Sequence, residues 1–455
     1  MQERHSVLLY NPISNEGHLD SWHVLFIEVF LAAGWNVIPV STDPQGLRRK
    51  LESKGLWGHT CLTWLHSQKP ETSAFTSNAN HLYQRVVRQI KRVFESTTQR
   101  EQRLLAARFL EPQQFKEIVS NALDSSRSRV DLIFNMFVDG YLPNSPAWSH
   151  LVFHQGNISN QAAINAEVHA IPWAGLCITP EYEKRQRTQL PLQALSQAQA
   201  QPSLHDKPPS YYALTQYRGT CFLEEAAVDT YRNAFPNKHF CFLPDITDSE
   251  LPVEPSALAI DIKRRAAGRR IVFMGGSIGK QKNLAQWIGL ILNLDPAQWY
   301  FVQVGRINHN NLLPEDTQAL AHIQRQSPEN LYLHADYLQD ETSFNAIIAA
   351  ADVIFAVYRD FYRSSNMLSK AAYFEKPILV ADQCLMGERV TQYEIGVAVP
   401  FDSPERIQSG LIAAVQLSEL PSKFACYRAD FNRVEFSRCL TSFAATCLAQ
   451  ARQAA

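Results

Sequence analysis

Between Asp352 and Pro400 the chain reads DVIFAVYRDFYRSSNMLSKAAYFEKPILVADQCLMGERVTQYEIGVAVP. An apolar run leads into a polar loop ending in Ser364, Ser365 and Asn366. A helix follows, then a second apolar run over 378–381, a short helix and a third apolar run. Short apolar runs that do not alternate with polar residues read as strands covered on both faces, and strands joined through helices must lie parallel. The stretch therefore constrains the fold to a helix-covered parallel sheet. A strand that empties into a Ser/Asn loop at a helix N-terminus also predicts an anion site, because unpaired N–H groups and the helix dipole point into the loop.

The same alternation runs upstream. Strands are expected over 271–274, 300–304 and 331–334, with helices over 283–292, 315–326 and 342–350 between them. At the N-terminus, a strand over 6–10, a helix over 20–33 closed by Gly34, and a strand over 35–40 form a βαβ unit. Further strands are expected over 130–137, 150–154, 175–179 and 219–223. The Gln/Ala/Ser/Pro-rich stretch 192–210 reads as a surface loop, and the proline- and acid-rich stretch 243–255 as a linker. The expected division is residues 1–245, a linker over 246–262, a second domain over 263–428, and a helix over 429–455 returning to the first domain. The fold class is α/β, with two doubly wound parallel-sheet domains.

The composition supports a large globular chain: 455 residues, 45% hydrophobic and 19% charged. Balanced charge, 43 basic against 44 acidic residues, argues against a surface built to bind nucleic acid. No apolar run reaches the ~18 residues that span a bilayer, and no signal-peptide pattern opens the chain, so the expected location is cytoplasmic. The helix over 81–94 carries Arg85, Arg88, Lys91 and Arg92 beside an apolar stripe. A Rossmann helix packed on its own sheet is the favoured reading, and peripheral contact with the inner face of a membrane the alternative. The eight cysteines are scattered without a C-x-x-C pair and read as reduced thiols.

Ligands of open α/β sheets sit beyond the C-terminal ends of strands. In the second half those exits hold Gly275, Gly276 and Ser277, then Gly305 and Arg306, Asp336 and Tyr337, Arg359 to Asn366, and Gln383 to Glu388. Gly276 permits close backbone approach, and Lys282 can meet a phosphate as a point charge. Gly279-Lys280 is no P-loop, since Met274 and Gln281 stand where glycine and Ser/Thr belong.

In combination these stretches resemble the GT-B nucleotide-sugar glycosyltransferases, nearest to their large retaining group. The segments that carry the likeness are YNPISNEGHLDSWHVLFIEVFLAAGWNVIPVST, MGGSIGKQKN and KAAYFEKPILVADQCLMGERVTQYEIGVAVPFDSPERI. The resemblance implies two Rossmann-like domains facing a central cleft, the second for a nucleoside diphosphate sugar and the first for the acceptor. It matches Gly17 to the glycine of the first loop, His154 to a histidine facing the transferred sugar, and Lys282 to a lysine on the donor diphosphate. Two positions depart from it: Ser277 stands in place of an arginine, and Tyr362 and Lys370 in place of a Glu-x7-Glu pair.

The resulting expectation is a hexosyltransferase-like enzyme acting in polysaccharide, glycolipid or cell-envelope glycan synthesis. The donor would be a nucleoside diphosphate sugar such as a UDP-sugar, and the acceptor a glycan, a lipid-linked glycan or a small molecule. No cofactor and no metal are expected. His154 and Lys282 are the expected catalytic residues, with Glu16 or Asp139 as bases should the reaction invert; Asp20 is a further base candidate. The expected donor-binding set is Gly17, Gly276, Ser277, Lys282, Gly305, Arg306, Tyr337, Tyr358, Ser364, Ser365, Asn366, Lys370 and Glu388. A nucleotide-sugar epimerase of the same fold and a non-catalytic nucleotide-sugar binding module are the alternatives.

Overall fold

The structure, a computed structural model, describes residues 4–12, 14, 19–65, 112–126, 128–138, 153, 170–178, 180, 210–336, 338, 340–417 and 420–453. Glu16, Gly17, Asp139, His154, Tyr337 and the helix over 81–94 lie outside the described residues. So does the strand expected over 150–154, apart from the buried Phe153.

The described residues fall into two compact units. One takes the chain through Cys241 together with the segment from Leu440 onward, and the other runs from Phe242 to Cys439.

In the first unit, β1 (Ser6–Asn11), α1 (Leu19–Ala32), β2 (Asn36–Ser41) and α2 (Pro44–Ser53) are followed by α3 (Pro112–Ser125), β3 (Leu132–Asn135) and β4 (Trp173–Cys177). Then come β5 (Tyr217–Phe222), α4 (Glu225–Ala234) and β6 (His239–Phe242). The sheet order is β2-β1-β3-β4-β5-β6, so the winding across the sheet reverses between β1 and β3. Val7 pairs with Val37 on one side and Leu132 on the other. Every residue of β1, β3 and β4 is buried, which is why these strands read as unbroken apolar runs. Their core is aromatic, with Trp173 packed on Phe115, Phe153 and Tyr217.

The second unit continues with α5 (Ala257–Ala266), β7 (Arg270–Gly275), α6 (Leu284–Asn293), β8 (Trp299–Val304), α7 (Pro314–Gln326), β9 (Leu331–His334) and α8 (Glu341–Ala350). It goes on through β10 (Val353–Ala356), α9 (Met367–Tyr373), β11 (Ile378–Ala381), α10 (Cys384–Tyr393), β12 (Gly396–Val399), α11 (Pro404–Ala414) and α12 (Leu420–Asp430). The sheet order is β12-β11-β10-β7-β8-β9, with β7 and β10 side by side where the winding reverses. Trp287 of α6 is fully buried against Phe301 and Phe355. Full burial of an aromatic side chain of this kind contributes roughly 1.5–3 kcal/mol or more.

Two parts differ from the sequence reading. The stretch read as a linker over 246–262 ends inside α5, whose N-cap is Ser256. Its earlier residues are pinned to α8 and α9: Asn345 Nδ2 donates to the carbonyls of Asp248 and Glu250, and Ser369 Oγ to that of Asp245. The expected C-terminal helix is α13 (Arg433–Gln453), and a helix not expected from the sequence, α12, ends just before it. Asn432 makes the break by accepting the backbone N–H of Glu435 at 2.9 Å, as an N-cap does. From Leu440 on, α13 counts with the first unit, where Phe443 packs on Phe134 and His239.

Candidate functional site

In a doubly wound sheet the ligand crevice lies outside the C-terminal ends of the strands where the winding reverses. In the second unit that places it at the exits of β7 and β10. The β7 exit turns at once: Gly276 has φ +91 and Gly305, at the end of β8, φ +136, both in the left-handed region that favours glycine. A Cβ on Gly305 would stand 2.0 Å from the Gly276 carbonyl oxygen, so the two exit loops lie backbone on backbone. Ile278 continues the contact, donating to the Arg306 carbonyl at 2.9 Å and accepting from Asn308 at 2.8 Å.

The loop then makes a short turn over Lys280–Lys282 and delivers Lys282 back over the strand end. Its ammonium donates to the Gly275 carbonyl at 2.9 Å and to Tyr358 Oη at 2.7 Å, and lies 4.1 Å from the Tyr358 ring centre. Tyr358 is buried just past β10, with Phe361 packed edge-on against its ring. The side chains of the two exits thus meet at the point of reversal. An ammonium has three donors, and these two bonds place two of them. A Cβ on Gly276 would be 3.6 Å from the ammonium, so glycine there keeps the approach open.

The helix that follows the loop is already capped. Asp316, fully buried at the start of α7, accepts the backbone N–H of Ala285 at 2.9 Å and that of Leu313 at 3.4 Å. Helix N-termini are common seats for phosphate, but here a carboxylate of the chain itself takes the place.

Of the residues expected at the site, Gly276, Ser277, Lys282, Gly305, Arg306 and Tyr358 gather at the β7, β8 and β10 exits, with Ser277 and Arg306 exposed. Others turn elsewhere. Ser364 is buried and accepts from Arg389 Nη1 at 2.8 Å. Ser365, just before the N-cap of α9, receives the Met367 N–H at 3.4 Å, and Asn366, the N-cap, takes the Lys370 N–H on its carbonyl. Lys370 is 1% exposed, with its ammonium 2.6 Å from Glu341 Oε1 and also bound to Asn345 Oδ1 and the Asp248 carbonyl. That ammonium ties α9 to α8 and to the 248–250 segment rather than facing solvent. Glu388 is exposed on α10.

Sequence reasoning missed Arg389 and Asp245, and the partners that Arg359 takes. Arg389 is buried between Ser364 and the ring of Phe431, 4.6 Å away. Burial pushes the neighbouring Asp245 carboxyl up to about 6, opposed by its bond to Ser364 and by Arg389 and Arg363. Arg359, next to Tyr358, bonds Asn283 Oδ1 at 3.0 Å and Glu315 at 2.9 Å. No spacing in the sequence points to these pairs, which join positions far apart in the chain.

In the first unit the corresponding reversal point, between β1 and β3, presents Asn11 and Asn135 at the strand ends, both buried. Beside them Ser14 Oγ lies 3.1 Å from Ser41 Oγ and accepts from Thr42 Oγ1 at 3.0 Å, which ties the β1 exit to the β2 exit. Asp20 is in the first turn of α1. Among the described residues no group of His, Cys, Asp and Glu is placed to hold a metal ion, and no helix is long and apolar enough to cross a membrane.

The sequence matches no protein-family model and no curated protein. Its structure is similar to that of sucrose-phosphate synthase from Thermosynechococcus elongatus, with TM-score 0.59 and 13% identity over 98% of this chain and 100% of that one. It is also similar to an alpha,alpha-trehalose-phosphate synthase (UDP-forming) from Burkholderia vietnamiensis, with TM-score 0.56 and 9% identity over 99% of each chain. A third similar structure is Anabaena HepE in complex with UDP and glucose, with TM-score 0.55 and 11% identity over 97% of this chain and all of that one. With its two parallel six-stranded sheets, the chain has the GT-B fold of the glycosyltransferases.

Proposed function

We propose that the chain is a glycosyltransferase that moves a sugar from a nucleoside diphosphate sugar to an acceptor, with the donor diphosphate held at the β7 and β10 exits of the second unit. The observation that carries this reading is the Lys282 ammonium, fixed at the point of reversal of a doubly wound sheet with a donor left for a ligand. The GT-B fold and the UDP and glucose bound in HepE support it.

Catalysis on this reading is positioning and electrostatics. Lys282 and Ser277 stabilise the negative charge that builds on the departing diphosphate, while the N–H groups of Gly276 and Gly305 stay bonded to the Val304 and His334 carbonyls and hold the exit loops in place. Arg306 and Tyr358 complete the donor side. His154, with Glu16 or Asp139 as base should the reaction invert, would serve the acceptor side, which belongs to the first unit. The acceptor is a glycan, a lipid-linked glycan or a small molecule, and no cofactor enters the reaction.

The test is a thermal-shift screen against UDP-, GDP-, ADP- and CMP-sugars, followed by incubation of the stabilising donor with and without acceptors. A bound donor at about a hundred times its dissociation constant adds ~2.7 kcal/mol of stability. No shift with any donor would overturn the reading. Epimerised donor without acceptor would replace transferase by epimerase, and binding without turnover would leave a binding module. NMR of the product anomer separates retention from inversion.

A further inference from the structure

Tyr358 and Arg359, the residues that follow β10 after Val357, take hold of three consecutive residues of the loop leaving β7. Tyr358 Oη accepts from Lys282 Nζ at 2.7 Å, the Arg359 backbone N–H donates to the Gln281 carbonyl at 2.9 Å, and Arg359 Nη2 donates to Asn283 Oδ1 at 3.0 Å. The other arm of the guanidinium reaches Glu315 at 2.9 Å. Asn283 is fully buried at φ 55, and its Nδ2 donates to the Phe401 carbonyl at 2.7 Å, so its amide is held at both ends. A non-glycine residue in that backbone region persists where its surroundings enforce it. The residues on either side of Lys282 are therefore both held by Arg359.

We propose that Arg359 is a positioning residue for the donor site: its backbone N–H holds the Gln281 carbonyl and its guanidinium locks the buried Asn283 side chain, and between these two fixed neighbours the Lys282 ammonium is aimed. The proposal rests on Lys282 being the diphosphate ligand. The ion pair with Glu315, whose carboxylate is half exposed, contributes little by itself, since exposed pairs are worth about 0–1 kcal/mol. Geometry carries the effect, and a guanidinium supplies it because its planar fork reaches two acceptors in fixed directions.

The test is calorimetric titration of the full chain with UDP, GDP and ADP, on wild type, Arg359→Gln, Lys282→Ala and the double variant, with melting temperatures to confirm folding. Arg359→Gln is expected to weaken nucleoside diphosphate binding about tenfold when Lys282 is present and less than about twofold when it is absent, as coupled residues do. Arg359→Lys, which keeps the charge and loses the fork, should fall with Arg359→Gln. Glu315→Gln, which leaves the bond to Asn283, should stay within about threefold of wild type. Additive losses in the double variant, full affinity in Arg359→Lys, or unchanged affinity in Arg359→Gln would each overturn the positioning role alone. Failure of the wild type to bind any of the three nucleotides would overturn the donor site and this role with it.

Discussion

Asp316 accepts the backbone N–H of Ala285 at 2.9 Å across the start of two helices, so one carboxylate serves the N-termini of both α6 and α7. Loss of an N-cap typically costs about 0.5–2 kcal/mol, and Asp316→Ala removes the partner of two ends. We expect it to lower the urea midpoint by an amount equivalent to about 2 kcal/mol. It also uncovers the dipole of α6. Inorganic phosphate should then raise the melting temperature of Asp316→Ala while leaving the wild type nearly unchanged, and equal shifts in both would refute the capping account.

Lys282 and Tyr358 should separate cleanly by substitution. Lys282→Ala removes a charge-assisted bond worth about 1.5–3 kcal/mol, so nucleoside diphosphate affinity should fall about ten- to a hundredfold. Tyr358→Phe keeps the ring beneath the ammonium and removes only the Oη acceptor, for a loss of roughly threefold. Titration calorimetry reads both. Equal losses would mean that Tyr358 also contacts the ligand.

Lys370 makes the opposite prediction from a ligand-binding lysine. Its ammonium is buried while Glu341 keeps 27% of its side chain exposed, so removing the ammonium breaks charge-assisted bonds and leaves a partly solvated carboxylate, at about 1.5–3 kcal/mol. Lys370→Met should therefore unfold at much lower denaturant, while Lys370→Met combined with Glu341→Gln recovers part of the loss. A fully stable Lys370→Met with impaired nucleotide binding would put Lys370 at the ligand after all.

Two buried groups give opposite pH dependences. Burial lowers His23 of α1 to about 3 from an ordinary value of 6.5. The unfolded chain takes up that proton first, so the stability of the first unit should fall as pH drops from about 6.5 toward 3, by up to ~1.4 kcal/mol per pH unit. Asp245 in the second unit is raised from 3.8 to about 6, so the folded form protonates first and stability there should rise as pH falls through that window. Denaturant melts of His23→Leu and Asp245→Asn at several pH values would test both. His23→Leu should flatten the acid loss, and Asp245→Asn should remove the acid gain.

The sheets were largely legible because parallel strands buried on both faces leave continuous apolar runs. The strand over Ile378–Ala381, buried throughout, falls on the residues the pattern indicates, and Leu331–His334 does so as a half-buried edge strand marked by its two leucines. The pattern failed for β6, a short run only one residue of which is buried, and for α5, which hides behind a proline-rich approach. At the site, loop chemistry pointed to Lys282 and the glycines. It could not tell which way a polar side chain turns: Ser364 faces Arg389, and Lys370 faces a glutamate from another helix. Such partners are set by packing between elements, and packing leaves no periodic trace in one sequence.

The close stacking of the β7 and β8 exits makes position 305 a sharp reporter of this loop arrangement. A side chain at 305 has no room beside the Gly276 carbonyl and a backbone that L residues rarely adopt, while Arg306 next to it is exposed. Saturation mutagenesis scored by stable folding should therefore accept almost nothing but glycine at 305 and almost anything at 306. Proteins that share this stacking of the β7 and β8 exit loops could be sorted from other GT-B chains by that one contrast in tolerance.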